Sequence, residues 1–188
     1  TLKNTLFDLL DTAVKDRLMG DVPLGVFLSG GLDSSTVAYF AQKNSQTPIN
    51  TFSIGFDDPS FDESNYAQRV ADFLGTHHHH FKVTEKDILS IVPRLASIID
   101  EPMADASILP TYALAQLART KVKIALGGDG ADELFAGYDT FLAHRYAGML
   151  SWVPKRIIRL LIACSSLVPV SHMYMSLDFK IKRFLSGL

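Results

Sequence analysis

Two short stretches hold most of the residues whose types and spacing suggest chemistry: "SGGLDSS" at 29–35 and "GGDGADE" at 127–133. In the first, Gly30 and Gly31 permit positive φ and a close approach of a ligand to the backbone. The N–H groups of such a turn, and of a helix starting after it, face an anion with the helix dipole in support. Ser29, Ser34 and Ser35 add hydroxyls for phosphate oxygens. Asp33 repels a bare phosphate and makes sense if it holds a divalent cation that bridges phosphates. The pattern GxxxxGK[ST] occurs nowhere in the chain, which argues against γ-phosphate transfer by a P-loop.

The second stretch repeats the logic. Gly127, Gly128 and Gly130 free the backbone, and Asp129, Asp132 and Glu133 gather three carboxylates within five residues. Asp132 or Glu133, opposite Asp33, would complete a magnesium site. Each stretch also has a plain structural reading: a glycine turn between strand and helix, with capping serines in one case and acidic helix-start residues in the other. Their joint occurrence about 100 residues apart, each after an apolar strand, favours the ligand reading.

The elements that position these loops follow from periodicity. Leu2, Leu6, Leu9, Ala13 and Val14 recur at helical spacing, so a first helix is expected to about Arg17, broken by "GDVP". Strands are expected at 24–28, 49–56, 79–83 and 122–126. Helices are expected at 34–44, 63–74 with Gly75 as the C′ residue, 85–99 despite Pro93, and 111–119. "DEPMADASILP" (100–110) reads as a polar loop and the chain beyond Phe141 as helical. Alternation of this kind predicts an α/β fold: a parallel sheet with helices on both faces, followed by a helical C-terminal part. The loops after the first and fourth strands would then emerge on one sheet edge, where such folds bind ligands.

Bulk properties exclude several classes. With 47% hydrophobic residues and a formal net charge of −2, the 188-residue chain carries no basic stripe for nucleic acid. A single cysteine, Cys164, excludes an internal disulfide and a Cys-rich zinc site, and a reducing, cytoplasmic setting is expected. Residues 160–177 carry no formal charge, but Pro169 and several polar residues favour a covered helix over a membrane span. "HHHH" (77–80) reads as a strand entry in which His77 and His79 face opposite to His78 and His80, so four ligands do not converge.

The first loop resembles that of the N-type (PP-loop) ATP pyrophosphatases, an adenine nucleotide alpha hydrolase-like fold. "DVPLGVFLSGGLDSS", "TFSIGF", "DEPMADASILPTY" and "GGDGADELFAGY", in this order, resemble the synthetase domain of glutamine-hydrolysing asparagine synthetases from about residue 2 to at least 146. The resemblance implies an ATP-binding core over 1–146 and, over 147–188, the helical start of the rest of that domain. It implies AMP and pyrophosphate formation: a carboxylate, aspartate or a relative, is adenylated and then amidated by ammonia. ATP and Mg2+ are the implied cofactors. The ammonia would come from a glutaminase domain outside these residues, and a homodimer of the longer protein is conceivable; alone, the chain is expected to be inactive.

Residue by residue, the resemblance assigns Ser29, Gly30, Gly31, Asp33, Ser34 and Ser35 to pyrophosphate. It assigns Leu28, Ile54, Gly127 and Gly128 to the nucleotide, Asp33 and Asp132 to magnesium, and Asp129 to the neighbourhood of the acyl group. Asp129 departs from the Ser-Gly-Glu-Gly of many asparagine synthetases. The departure resembles bacterial amidotransferases associated with polysaccharide or exosortase gene clusters and leaves the acceptor carboxylate open. Competing readings are another pyrophosphatase-loop enzyme and a non-catalytic nucleotide-binding module. The intact carboxylates Asp33, Asp132 and Glu133 argue against the module.

Overall fold

A computed structural model describes residues 1–95, 97–101, 105–149, 153–165 and 176–186. The chain divides into two units, Thr1–Asp129 and Gly130–Leu188. The first unit opens with α1 (Leu2–Leu18) and continues with β1 (Leu24–Phe27), α2 (Leu32–Lys43), β2 (Asn50–Phe56) and α3 (Ser64–Leu74). It ends with β3 (His77–Val83), α4 (Glu85–Leu95), α5 (Ile108–Arg119) and β4 (Ile124–Leu126).

The four strands pair in the order β3-β2-β1-β4, and every pair is parallel. Strand period then sorts side chains between two faces. Val26 and Leu28 join Val14 and Leu10 of α1, Ala38 and Phe40 of α2, and Ala67 and Ala71 of α3 in one cluster. Phe27 and Phe52 turn the other way, against Leu114, Leu117 and Ala118 of α5. Ile54, Phe56 and Val83 continue that face against α4 and α5. Helices therefore cover both faces, as alternation predicts. Each fully buried large side chain, such as Phe40, Phe52 or Leu28, contributes about 1.5–3 kcal/mol.

The boundaries differ from expectation where local chemistry intervenes. Helix α2 begins at Leu32 rather than 34, so Asp33 and Ser34 lie in its first turn; its N-cap is Gly31, and no serine side chain caps it. Helix α5 starts three residues early because Pro110 falls in its first turn, where a missing N–H breaks no helical bond. Helix α4 is described to Leu95 with Pro93 inside it; residue 96 lies outside the described residues, and 97–99, against expectation, are not helical. Strand β4 is shorter than expected because the Val122 N–H still bonds the Ala118 carbonyl at 2.9 Å. Gly75 ends α3 in the left-handed region (φ 69°), as expected of a C′ glycine.

The second unit contains α6 (Ala131–Phe135), α7 (Asp139–Met149), α8 (Lys155–Ser165) and α9 (Leu177–Ser186). The uncharged run 160–177 begins inside α8, and its residues 166–175 lie outside the described ones. Among the described residues no helix is long and apolar enough to cross a membrane.

Candidate active site at the edge of the parallel sheet

The loop after β1 is closed by its own serines. Ser29 Oγ lies 2.9 Å from Ser34 Oγ, the Ser29 N–H donates to Ser34 Oγ at 3.2 Å, and the Gly31 N–H donates to Ser29 Oγ at 3.2 Å. Gly30 takes φ 85°, which no other residue type adopts easily, whereas Gly31 is extended at φ −69°. Only one of the two glycines therefore needs the left-handed region. The first in-helix bond of α2 runs from the Ser35 N–H to the Gly31 carbonyl at 3.1 Å. The N–H groups of Leu32, Asp33 and Ser34 precede it and have no helical acceptor.

The loop after β4 lies against this one. A Cβ on Gly128 would stand 2.9 Å from Ser34 N and 3.0 Å from Asp33 Cβ. Two glycine stretches separated by nearly 100 residues thus touch, because β1 and β4 are neighbours, with Val26 opposite Leu126. Strand order reverses at this point, β2 lying on one side of β1 and β4 on the other, which is where open parallel sheets bind ligands. Gly127 is shaped by its neighbour: a Cβ there would meet Asp129 Oδ2 at 2.6 Å.

The carboxylates differ in their surroundings. Asp33 is half-buried, and its carboxylate has no hydrogen bond or ion pair among the described residues. A half-buried, unpartnered carboxylate beside unpaired N–H groups suits a divalent cation and the phosphates that cation carries. In the second unit, Gly130 (φ 88°) caps α6, whose first turn holds Asp132 and Glu133. Glu133 Oε1 accepts the Tyr138 hydroxyl at 2.6 Å. That bond holds the Glu133 carboxyl below the usual range and leaves half-buried Asp132 as the carboxylate of the turn with no hydrogen bond or ion pair among the described residues.

The "Asparagine synthase" family pattern matches residues 5–183. The chain belongs to this family. A Methanocaldococcus jannaschii protein with the provisional name asparagine synthetase (glutamine-hydrolyzing) 2 is 43% identical over 148 residues, 78% of this chain and 28% of that protein. Asparagine synthetase (glutamine-hydrolyzing) 1 of Bacillus subtilis is 32% identical over 162 residues, 86% of this chain and 26% of its own length. The chain thus spans about a quarter of the length of these relatives. Among solved structures, NMN synthetase from Francisella tularensis superposes with a TM-score of 0.51 at 19% identity, covering 72% of this chain and 58% of that one. At that identity the likeness concerns the fold.

Of the residues that the sequence resemblance singles out, the structure gathers Ser29, Gly30, Gly31, Asp33, Ser34, Gly127, Gly128 and Asp129 around the ends of β1 and β4. Leu28 directly follows β1, but its side chain is 1% exposed in the core and its N–H bonds the Phe52 carbonyl at 2.8 Å. Its carbonyl is what remains for a ligand. Ile54 packs its side chain with Val83 and Ile91 on the α4–α5 face. The Ser35 hydroxyl is buried without a hydrogen-bond partner. The residue itself also lines an apolar groove of about 360 Å³ between α1 and α2, with Leu6, Phe7 and Tyr39.

Sequence reasoning missed a polar ladder under α3. Thr51 Oγ1 lies 2.8 Å from Thr76 Oγ1 and 2.9 Å from His78 Nδ1. Ser53 Oγ lies 3.0 Å from His78 Nε2 and 3.1 Å from His80 Nδ1. His79 faces away, as alternation requires, stacking on Phe52 and bonding Asn50 Oδ1 at 2.9 Å. A signal existed: hydroxyls two apart in β2 and histidines two apart in β3 match period 2 on facing strands.

Proposed function

We propose that this chain is the ATP-binding part of an AMP- and pyrophosphate-forming amide ligase of the asparagine synthase type. The observation that carries the reading is the meeting of the two glycine loops, with Gly128 against the Asp33–Ser34 backbone. Breaking the α–β bond of ATP requires the leaving pyrophosphate to be held and its charge offset. The unpaired N–H groups of Leu32 to Ser34 and the Ser29 and Ser34 hydroxyls do the holding. The close approach permitted by Gly127 and Gly128 admits the nucleotide beside them.

Asp33 and Asp132 are the residues that would hold magnesium, which supplies positive charge to the phosphates when bound. Asp129 would stand by the acyl group, and Leu28 and Ile54 by the nucleotide. The acceptor is aspartate or a related carboxylate, and the attacking ammonia comes from glutamine in a separate domain of the longer protein. In a second reading the acceptor is a different carboxylate; it is favoured by Asp129, one methylene shorter than the glutamate of many family members.

Pyrophosphate release by the longer protein, supplied with ammonia and a panel of carboxylates, tests the proposal. Release with aspartate alone supports asparagine formation, and release with another carboxylate supports the second reading. No release with any acceptor, with MgATP still bound, overturns both in favour of a binding module.

A further inference from the structure

The phosphate loop does not stand by itself. Gly30, at φ 85°, sits so close to α3 that a Cβ would stand 2.5 Å from both Ala67 N and Tyr66 C. The first turn of α3 is therefore a wall of the loop, and whatever fixes α3 fixes Gly30.

Two attachments fix that turn. At its start, half-buried Asp62 accepts the Ser64 N–H at 3.1 Å, and the Tyr66 and Ala67 N–H groups bond the Glu63 carbonyl. Beneath its length runs the ladder Thr76–Thr51–His78–Ser53–His80, with Thr51 at 0% and Ser53 at 3% exposure. The ladder ends near Asp62: a Cβ on Gly55 would lie 2.8 Å from both Asp62 Oδ1 and His80 Cε1.

Hydrogen counting gives the ladder its character. Each of the four links needs one hydrogen, and each hydroxyl has one to donate. With neutral rings all four links are satisfied in a single direction. One added proton is accommodated on the exposed ring, since a cationic His80 donates to Ser53, whose own hydrogen then turns to His78 Nε2. With two, both rings donate to Ser53, whose own hydrogen is left without a place in the ladder, and two cations face each other across one oxygen. The ladder therefore tolerates one extra charge and rejects a second.

We propose that Ser53 and His78 are positioning residues for the phosphate loop: the ladder they centre seats α3, and the second charge, on half-buried His78, shifts the first turn of α3 and Gly30 with it. Burial, followed by the neighbouring His80 and His79, lowers the His78 pKa, while Asp72 of α3 opposes the shift. Strand β2 presents no titratable side chain to it (Asn50–Phe56). His78 therefore stays neutral through neutral pH and gains its proton below the ordinary histidine value of about 6.5. A consequence for ATP rests on the proposed function; the coupling itself does not.

The test follows the His78 ring and the Gly30 and Gly31 amides by NMR in the ligand-free protein from pH 8 to pH 5. We expect the glycine amides to move with the His78 midpoint, Ser53→Ala to shift both midpoints together, and Ser53→Thr, which keeps the hydroxyl, to restore them. Glycine amides that stay still, or that follow a midpoint unaffected by Ser53→Ala, overturn the coupling. Should Ser53→Ala not fold, the coincidence of midpoints in the unaltered protein and in Ser53→Thr decides. MgATP affinity is expected to fall about three- to tenfold between pH 8 and pH 5.5. No MgATP binding at pH 8 refutes the nucleotide reading instead, and the NMR result still decides the coupling.

Discussion

Replacing Gly128 by alanine tests the central contact directly. The new Cβ would stand 2.9, 3.0 and 3.1 Å from Ser34 N, Asp33 Cβ and Asp33 C. Two of these atoms are backbone, so the relief is a retreat of one loop from the other by roughly 0.3–0.5 Å in a close-packed interior. Overpacking of this kind costs about 1–3 kcal/mol. If the N–H groups of Leu32 to Ser34 meet phosphate as proposed, displacing them is expected to weaken MgATP binding on the order of tenfold. Two other glycines separate the causes. Gly20 has nothing within 4 Å and no left-handed φ, so Gly20→Ala should change stability by less than about 0.5 kcal/mol. Gly75 has open space but φ 69°, so Gly75→Ala should cost about 1–2 kcal/mol through the backbone and leave nucleotide binding alone. Urea denaturation and calorimetric titration with MgATP measure both quantities. If Gly128→Ala matches Gly20→Ala in the two assays, the loops do not meet as described and the argument for a shared site fails.

Other expectations follow from single features. Asp33→Asn should abolish the magnesium dependence of ATP affinity; equal affinity with and without Mg2+ in both proteins removes the metal assignment. Thr51→Val, which keeps shape but leaves His78 Nδ1 and Thr76 without their shared hydroxyl, should cost about 1–3 kcal/mol in denaturation. Because burial depresses the folded His78 pKa, its neutral form contributes stability that is complete above about 6.5 and declines as pH falls toward the folded value. Denaturation midpoints between pH 8 and pH 5 should show that decline and show less of it in His78→Gln.

Much of the scaffold was legible in the sequence because its determinants are local. The apolar run before Ser29, the β-branched run at 49–56 and Gly75 each specify a strand or a helix end without reference to distant residues. Adjacency of the two glycine loops was legible too, since alternation of strands and helices confines both to one sheet edge. Helix starts were not, because Gly31, and not Ser34 or Ser35, proved to be the cap of α2. That Ser35 also lines a groove depends on the packing of α1 against α2, which the motif "LDSS" alone does not encode. The histidine ladder escaped for a related reason: it exists only once the register of β2 against β3 is set.

The shortness of β4 has a consequence for how ligand and fold depend on each other. Only Ile124, Ala125 and Leu126 tie the second glycine loop to the sheet, through pairing to β1, with the Lys123 N–H reaching the Pro23 carbonyl at 2.9 Å. The first loop, by contrast, is anchored between an inner strand and the twelve-residue α2. The two halves of the proposed nucleotide cradle therefore belong to different levels of the opening hierarchy, and the β4 half is expected to exchange its amide hydrogens through small local openings. A nucleotide spanning both would act as the missing stitch. Its largest gain in protection would fall not on the loop proposed to hold the phosphates but on Ile124 to Gly128.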